Sequence, residues 1–299
     1  MPTSKYFDQY PSFPSIPSIP VADIPKISLA LYDACRQHGF MLLDLTGSTA
    51  GDALLKDSEC MFDLLNATLT LKQDILEKYH CDHPQDLTGY KREGFMKTED
   101  GKPDAVGVYT LGQDDILGTV TPRAHPEPIE SHRVEFRKFI TRAHLLSPVQ
   151  LANDDHRINF VGHTDIGIIT LLFNVVGGLQ VLPSGVEIVD ANWSYVRPQE
   201  GCSVINIGDI LTEWTGGLLR SSLHRVVSPL GDQAQFPRRR VAYLVRAEKG
   251  AIVQRLRDSR VISPLKEGEE EDKRTLDAKA AWRAHQIMNG NLKLQAKGG

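Results

Sequence analysis

After residue 157 the chain breaks into short β-type runs, and that feature limits its fold more than any other. Segments 168–173, 179–182, 195–197, 203–207, 219–227 and 239–246 are rich in Val, Ile, Leu and aromatic residues, and Gly or Pro separates most of them. Several such strands at this spacing predict a sandwich or barrel, with jelly-roll topology as the closure. The fold class expected is therefore mainly β with flanking helices around a double-stranded β-helix. A length of 299 residues with 41% apolar content is ample for such a core.

The preceding part reads differently. Residues 1–26 are rich in Pro and Ser, with the near-repeat Pro14-Ser15-Ile16-Pro17-Ser18-Ile19-Pro20. Prolines this dense forbid a helix and leave an extended lead-in ending in a short strand. Ile27, Ala30, Leu31, Ala34 and Cys35 then share one helical face, and Gly39 is placed to end that helix. Segment 40–45 is apolar enough for a buried strand. Leu54, Leu55, Met61, Phe62 and Leu65 again have helical spacing, and Thr70 with Gln73 predicts a capping box opening a further helix to about Lys78.

From 81 to 126 the pattern is loop-like, with Tyr90, Phe95 and Tyr109 readable as core or pocket aromatics. Ile129, Arg133, Phe136 and Ile140 mark another helix. The charge run 267–274 reads as a solvated loop, and a last helix over Leu276–Met288 is expected to pack on the body. The division expected is 1–26 lead-in, 27–157 helical and loop region on the barrel, 158–250 jelly-roll core and 251–299 loop and helix. These make one structural domain overall.

A formal charge of −4 recommends no polyanionic partner, so no nucleic acid is expected. The N-terminus lacks a basic segment followed by an apolar run, and no stretch approaches bilayer length. The apolar block 167–176 is interrupted by Asn174 and is strand-like. Cys35, Cys60, Cys81 and Cys202 lie far apart without a CxxC pair and read as reduced thiols. A cytoplasmic protein with a small-molecule substrate is the expectation.

The chemistry concentrates in His163-Thr164-Asp165. Residues i and i+2 of a strand point to one face, so imidazole and carboxylate can grip one ion. A third ligand must come from elsewhere in the barrel, and His224 sits on a later predicted strand. Two His and one carboxylate leave one face of an octahedral ion open, as Fe(II) needs to bind a chelating co-substrate and O2 together. The sequence also holds a decoy, His80-Cys81-Asp82 followed by His83, at a predicted helix end without β-context.

The segments Asp165-Ile166-Gly167, Gly178-Leu179-Gln180-Val181-Leu182, Trp193-Ser194-Tyr195-Val196-Arg197-Pro198, Gly201-Cys202-Ser203-Val204-Ile205-Asn206-Ile207-Gly208-Asp209 and Leu223-His224-Arg225-Val226-Val227, in this order, resemble the isopenicillin-N-synthase-like family of 2-oxoglutarate and Fe(II)-dependent oxygenases, particularly its fungal members. Ala34-Cys35-Arg36-Gln37-His38-Gly39-Phe40 resembles that family's first helix-to-strand turn. The likeness covers roughly residues 20–250. It implies Fe(II) on His163, Asp165 and His224, 2-oxoglutarate as co-substrate, O2 as oxidant, and oxidation of a C–H bond of a small natural-product (secondary-metabolite) substrate by hydroxylation, desaturation or rearrangement.

The family's co-substrate anchor is an arginine on a strand after the distal His, and Arg238 aligns with it. A guanidinium fork matches a carboxylate bidentately. Two departures stand out. Arg240 occupies the place of a Ser that also binds the carboxylate, so it is either a second cation or itself the anchor in a shifted register. About 18 residues separate His144 from His163, too few for the family's further helix and Tyr-bearing strand. Three rival readings remain open: an iron oxidase that uses no 2-oxoglutarate, an inactive barrel acting as a binding module, and a nucleic-acid demethylase suggested by the Arg240-x5-Arg246 spacing.

Overall fold

The computed structural model describes residues 18–20, 29–82, 86–96, 103–146, 162–229, 233–234, 238–248, 250–257, 259–288 and 295–298. Most of the lead-in, the shortened stretch after Leu146, His83 and the expected boundary at 157/158 lie outside the described residues. Strand β1 (Ser18–Pro20) is followed by α1 (Leu29–Asp33), which runs on into a π-helical turn at Ala34–His38. Gly39 ends it with φ +64°, its N–H donating to the carbonyl of Ala34 at 2.9 Å. Only glycine serves here: an added Cβ would lie 2.2 Å from the Arg220 carbonyl oxygen.

Strand β2 (Phe40–Asp44) leads into α2 (Thr49–Leu69). Its N-cap is Ser48, whose Oγ accepts from the N–H of Gly51 at 3.0 Å. Leu54, Met61 and Leu64 form the buried face. The capping box expected at Thr70 and Gln73 is not formed. Thr70 closes α2 instead, its hydroxyl donating to the carbonyl of Asn66 at 2.8 Å, and α3 (Gln73–Leu76) starts at Lys72 without a side-chain cap. A hydroxyl that turns back onto a finished helix is unavailable to open the next one.

The segment expected to be loop contains a hairpin, β3 (Gly89–Lys91) with β4 (Val108–Thr110), then α4 (Gln113–Leu117). A buried ion pair, Lys91 with Asp104, holds the hairpin's loop. Next come α5 (Glu127–Glu130) and α6 (Arg133–Leu146).

The rest of the barrel is β5 (Ile169–Asn174), β6 (Leu179–Val181), β7 (Ser194–Tyr195), β8 (Cys202–Ile207), α7 (Asp209–Trp214), β9 (His224–Val226) and β10 (Arg240–Val245), closed by α8 (Leu276–Met288). One sheet has the order β1-β2-β8-β5-β10, and the facing sheet has the order β7-β6-β9. Together they form the jelly roll. Outward residues of β5 and β10 are covered by α6, where Phe139 meets Phe173 and Tyr243 edge-on at 5.8 and 6.5 Å. That cover explains why the outward face of β5, Ile169, Leu171 and Phe173, is apolar. No disulfide joins the four cysteines. No helix among the described residues is long and apolar enough to cross a membrane.

Candidate metal centre

His163 and His224 form an isolated antiparallel bridge at the start of β9. The N–H of His163 donates to the carbonyl of His224 at 3.0 Å, and the reverse bond measures 2.9 Å. Paired directly, their imidazoles lie on one face with ring centres 4.3 Å apart. Asp165, two residues on, places Oδ1 3.5 Å from His163 Nε2 and 3.6 Å from His224 Nε2. The three candidate donor atoms lie within 4.8 Å of one another, and all three residues are buried. Among the described residues this is the one group of three such side chains; in the decoy, His80 is exposed and faces Glu77.

The second oxygen of Asp165 and the second nitrogen of His224 are already engaged. Asp165 Oδ2 accepts from Thr170 Oγ1 at 2.6 Å and Asn206 Nδ2 at 2.8 Å, leaving Oδ1 toward the imidazoles. Thr170 and Asn206 are direct partners in the β5–β8 register, so one rung of the sheet carries both donors. His224 Nδ1 lies 3.2 Å from the Ser222 carbonyl oxygen; with its proton donated there, Nε2 keeps its lone pair. Phe40 covers the imidazole edge-on at 5.4 Å. Burial pushes the Asp165 carboxyl up, but the neighbouring His224 and His163 rings outweigh it and hold the group well below the usual carboxylate range. A fixed carboxylate oxygen with two imidazole nitrogens is the donor set that suits Fe(II) and leaves positions open.

A cavity opens from this cluster between the two sheets. Asn206, Thr170 and Leu172 line it from the larger sheet, with Ala242, Leu244 and Arg240 from β10, and Leu179 and Val226 opposite. Arg240, Ala242 and Leu244 alternate onto the inner face of β10, opposite Asn174, Leu172 and Thr170 of β5. Arg240 therefore stands at the far end from the carboxylate. Burial lowers its guanidinium to about 9, with Arg238 adding to the effect and Asp165 opposing it, so it is cationic at neutral pH. Across the register, Asn174 Nδ2 is buried without a hydrogen-bond partner among the described residues.

Arg238 is placed elsewhere: its Nε donates to the Gly177 carbonyl at 2.7 Å, on the β5–β6 turn, and it does not line the cavity. Tyr90, Phe95 and Tyr109 also lie outside the lining. Tyr90 Oη donates to Gln73 at 3.3 Å, Phe95 meets the His80 ring edge-on at 5.5 Å, and Tyr109 Oη lies 3.0 Å from His125 Nδ1. Thr170, Asn206 and Phe40 escaped the sequence reading. The available signal was a polar residue at an inward position of an otherwise apolar strand, in Ile169–Asn174 and Cys202–Ile207.

Residues 139–247 match the family model of the 2OG-Fe(II) oxygenase superfamily. The chain is 29% identical to the 2-oxoglutarate-dependent dioxygenase frbH of Dothideomycetidae sp. (strain 11243), over 75% of this chain and 78% of that protein. It is 27% identical to the 2-oxoglutarate-dependent dioxygenase gloE of Glarea lozoyensis, over 75% and 76%. Among solved structures, a full-length Neurospora crassa protein in complex with alpha-KG and thymine superposes with a TM-score of 0.69 at 18% identity, covering 90% of this chain and 96% of that one. A 2OG-Fe(II) oxygenase family protein from Caulobacter crescentus gives 0.65 at 20% identity, covering 91% and 99%. At these identities the structural likeness establishes the fold.

Proposed function

We propose that this chain, a fungal-type 2-oxoglutarate- and Fe(II)-dependent dioxygenase of the 2OG-Fe(II) oxygenase superfamily, oxidises a C–H bond of a small natural-product molecule at iron held by His163, Asp165 and His224. The observation that carries the site assignment is the convergence of three buried donors at one end of a cavity whose other end holds Arg240.

When bound, the iron couples oxidative decarboxylation of 2-oxoglutarate by O2, giving succinate and CO2, to oxidation of the substrate. The chain's own residues prepare for this. Thr170 and Asn206 occupy Asp165 Oδ2 and so aim Oδ1 at the site. Ser222 fixes the His224 tautomer. Arg240 meets the distal carboxylate of the co-substrate as a charge-assisted pair, and Asn174 Nδ2 is the neighbouring buried donor for the same group. Leu172, Leu179, Val226, Ala242 and Leu244 exclude water around that pair, which strengthens it. Arg238, bonded at the β5–β6 turn, adds positive potential without direct contact. A small-molecule substrate needs no nucleic-acid face, and the net charge of −4 suits that reading.

The test is anaerobic addition of Fe(II) and 2-oxoglutarate to the purified apo-protein, watched through the visible charge-transfer band of the chelated metal. The expected band vanishes in His163→Ala and needs far more 2-oxoglutarate in Arg240→Met. A band that survives His163→Ala unchanged overturns the ligand assignment. Iron binding without any band, at saturating 2-oxoglutarate, overturns the co-substrate role and leaves the oxidase reading.

A further inference from the structure

We infer that Arg283 on α8 is a positioning residue for the metal centre, tying the docked C-terminal tail to the affinity of the site for its ion. The inference rests on the reading of His163, Asp165 and His224 as ligands, and its test separates the two.

Arg283 Nη2 donates to both the carbonyl oxygen and the Oγ1 of Thr164, at 2.7 Å each, and Nη1 donates to Asp209 Oδ2 at 2.6 Å. Thr164 is the residue between two of the ligands, so the orientation of its peptide groups sets where His163 and Asp165 point. The rest of that loop is already pinned. The backbone of His163 is bonded both ways to His224, and the carbonyl of Asp165 accepts from the N–H of Asp209 at 2.7 Å. That approach is close enough to require glycine at 208, where an added Cβ would meet the Gly167 carbonyl oxygen at 2.0 Å. The Thr164 carbonyl is the acceptor left over, and a planar guanidinium takes it together with the hydroxyl and the carboxylate.

The tail reinforces the same region a second time. Lys297 Nζ lies 2.8 Å from Asp209 Oδ2, and its backbone pairs both ways with Ser221, three residues before His224, at 3.0 and 2.8 Å. Asp209 is 4% exposed, and although burial raises its carboxyl, Arg283 and Lys297 hold it below the usual range. Without Arg283 a buried carboxylate loses one of two cations, and the loop between the ligands loses its outer support. Partners that orient metal ligands from outside contribute roughly 10- to 100-fold in metal affinity.

The experiment titrates the full-length apo-protein with Co(II), an oxygen-stable probe whose visible bands report coordination geometry. Wild type is compared with Arg283→Met, Arg283→Lys, Arg274→Met and His163→Ala, with apo melting followed in parallel. Arg274→Met is the control for general disturbance of the tail, since Arg274 stacks on exposed Trp282 at 4.7 Å and pairs with Asp272. Arg283→Met is expected to bind Co(II) at least about 10-fold more weakly with altered bands. Arg283→Lys should lie between it and wild type, because an ammonium cannot meet three acceptors in one plane, and Arg274→Met should bind normally. Arg283→Met affinity and bands within twofold of wild type, whatever its melting temperature, overturn the inference. If Arg283→Met does not fold, Arg283→Lys decides in the same way. Unchanged binding in His163→Ala instead overturns the ligand reading, independently of Arg283.

Discussion

At one end of the cavity the residues Phe40, Asn206, Thr170 and Leu244 are neighbours across four strands; at the other, Arg240 faces Asn174 across two. The first end is held redundantly. Asp165 has two side-chain donors on one oxygen and a backbone bond behind it, and each histidine is fixed by the other's backbone. The second end has one cation lining the cavity, the Arg240 guanidinium, with the Asn174 amide across the register and a hydrocarbon wall around it. The two ends are four residues apart along β10, roughly 13 Å at the usual rise of a strand. Loss of an orienting group at the metal end should therefore be graded, because neighbours still hold the ligand. Loss of the cation at the other end should be felt in full, because water has no easy access to replace it.

The largest effect expected is from Asp165→Ala. Removing the only anionic donor of the proposed centre should weaken Fe(II) binding by more than about a hundredfold, since each ligand carries a large share of a site's binding free energy. Equilibrium titration with Co(II) or Fe(II) measures it. Retention of near-normal affinity would mean that the carboxylate is structural and that redundancy at this end has been misread.

Arg240→Met comes next and probes the other end alone. Truncating one partner of a buried charge pair costs about 2 kcal/mol or more. The dissociation constant of 2-oxoglutarate should rise at least about thirtyfold while Fe(II) affinity stays at its original value. An equal loss of both would show that the two ends are coupled rather than separate. Asn206→Leu, by contrast, removes one of two donors to Asp165 Oδ2. About tenfold weaker metal binding is expected, with 2-oxoglutarate affinity in the iron-loaded protein little changed. A collapse as large as that of Asp165→Ala would deny the graded response.

The two ends also differed in how readable they were. His163, Asp165 and His224 follow from period-2 alternation and from strand runs of which the structure reproduces Ile169–Asn174 and Cys202–Ile207 within a residue, while the expected run 219–227 narrows to His224–Val226. Strand patterns are local, so they survive translation into a fold. The Arg240 end was ambiguous because Arg238, Arg239 and Arg240 straddle the start of β10, and alternation has no phase until the strand's first residue is known. Register supplies that phase: Arg240 pairs with Asn174, and the cavity face is 240, 242 and 244. The β3–β4 hairpin was missed for another reason. Its loop is held by Lys91 and Asp104, a non-local buried pair that leaves no periodic trace between 81 and 126. The Arg283–Thr164 contact joins residues 119 apart and is equally silent in local pattern.

The smallest effect separates the two arginines that sequence could not. Arg238→Met removes a guanidinium whose Nε is bonded to the Gly177 carbonyl and whose chain packs against Gly178. It lies outside the cavity lining, so it acts on a bound carboxylate only through its field, which the surrounding polar backbone and nearby solvent weaken. A rise of about twofold to threefold in the 2-oxoglutarate dissociation constant is expected, shrinking as salt is raised. The change in Arg240→Met should be much less sensitive to salt, because Arg240 lines the cavity and meets the carboxylate directly. If Arg238→Met instead produces the larger, salt-independent loss, the anchor is Arg238, the inner face of β10 begins two residues earlier in the loaded enzyme, and the comparison of a redundant end with a single-cation end has the wrong cation in it.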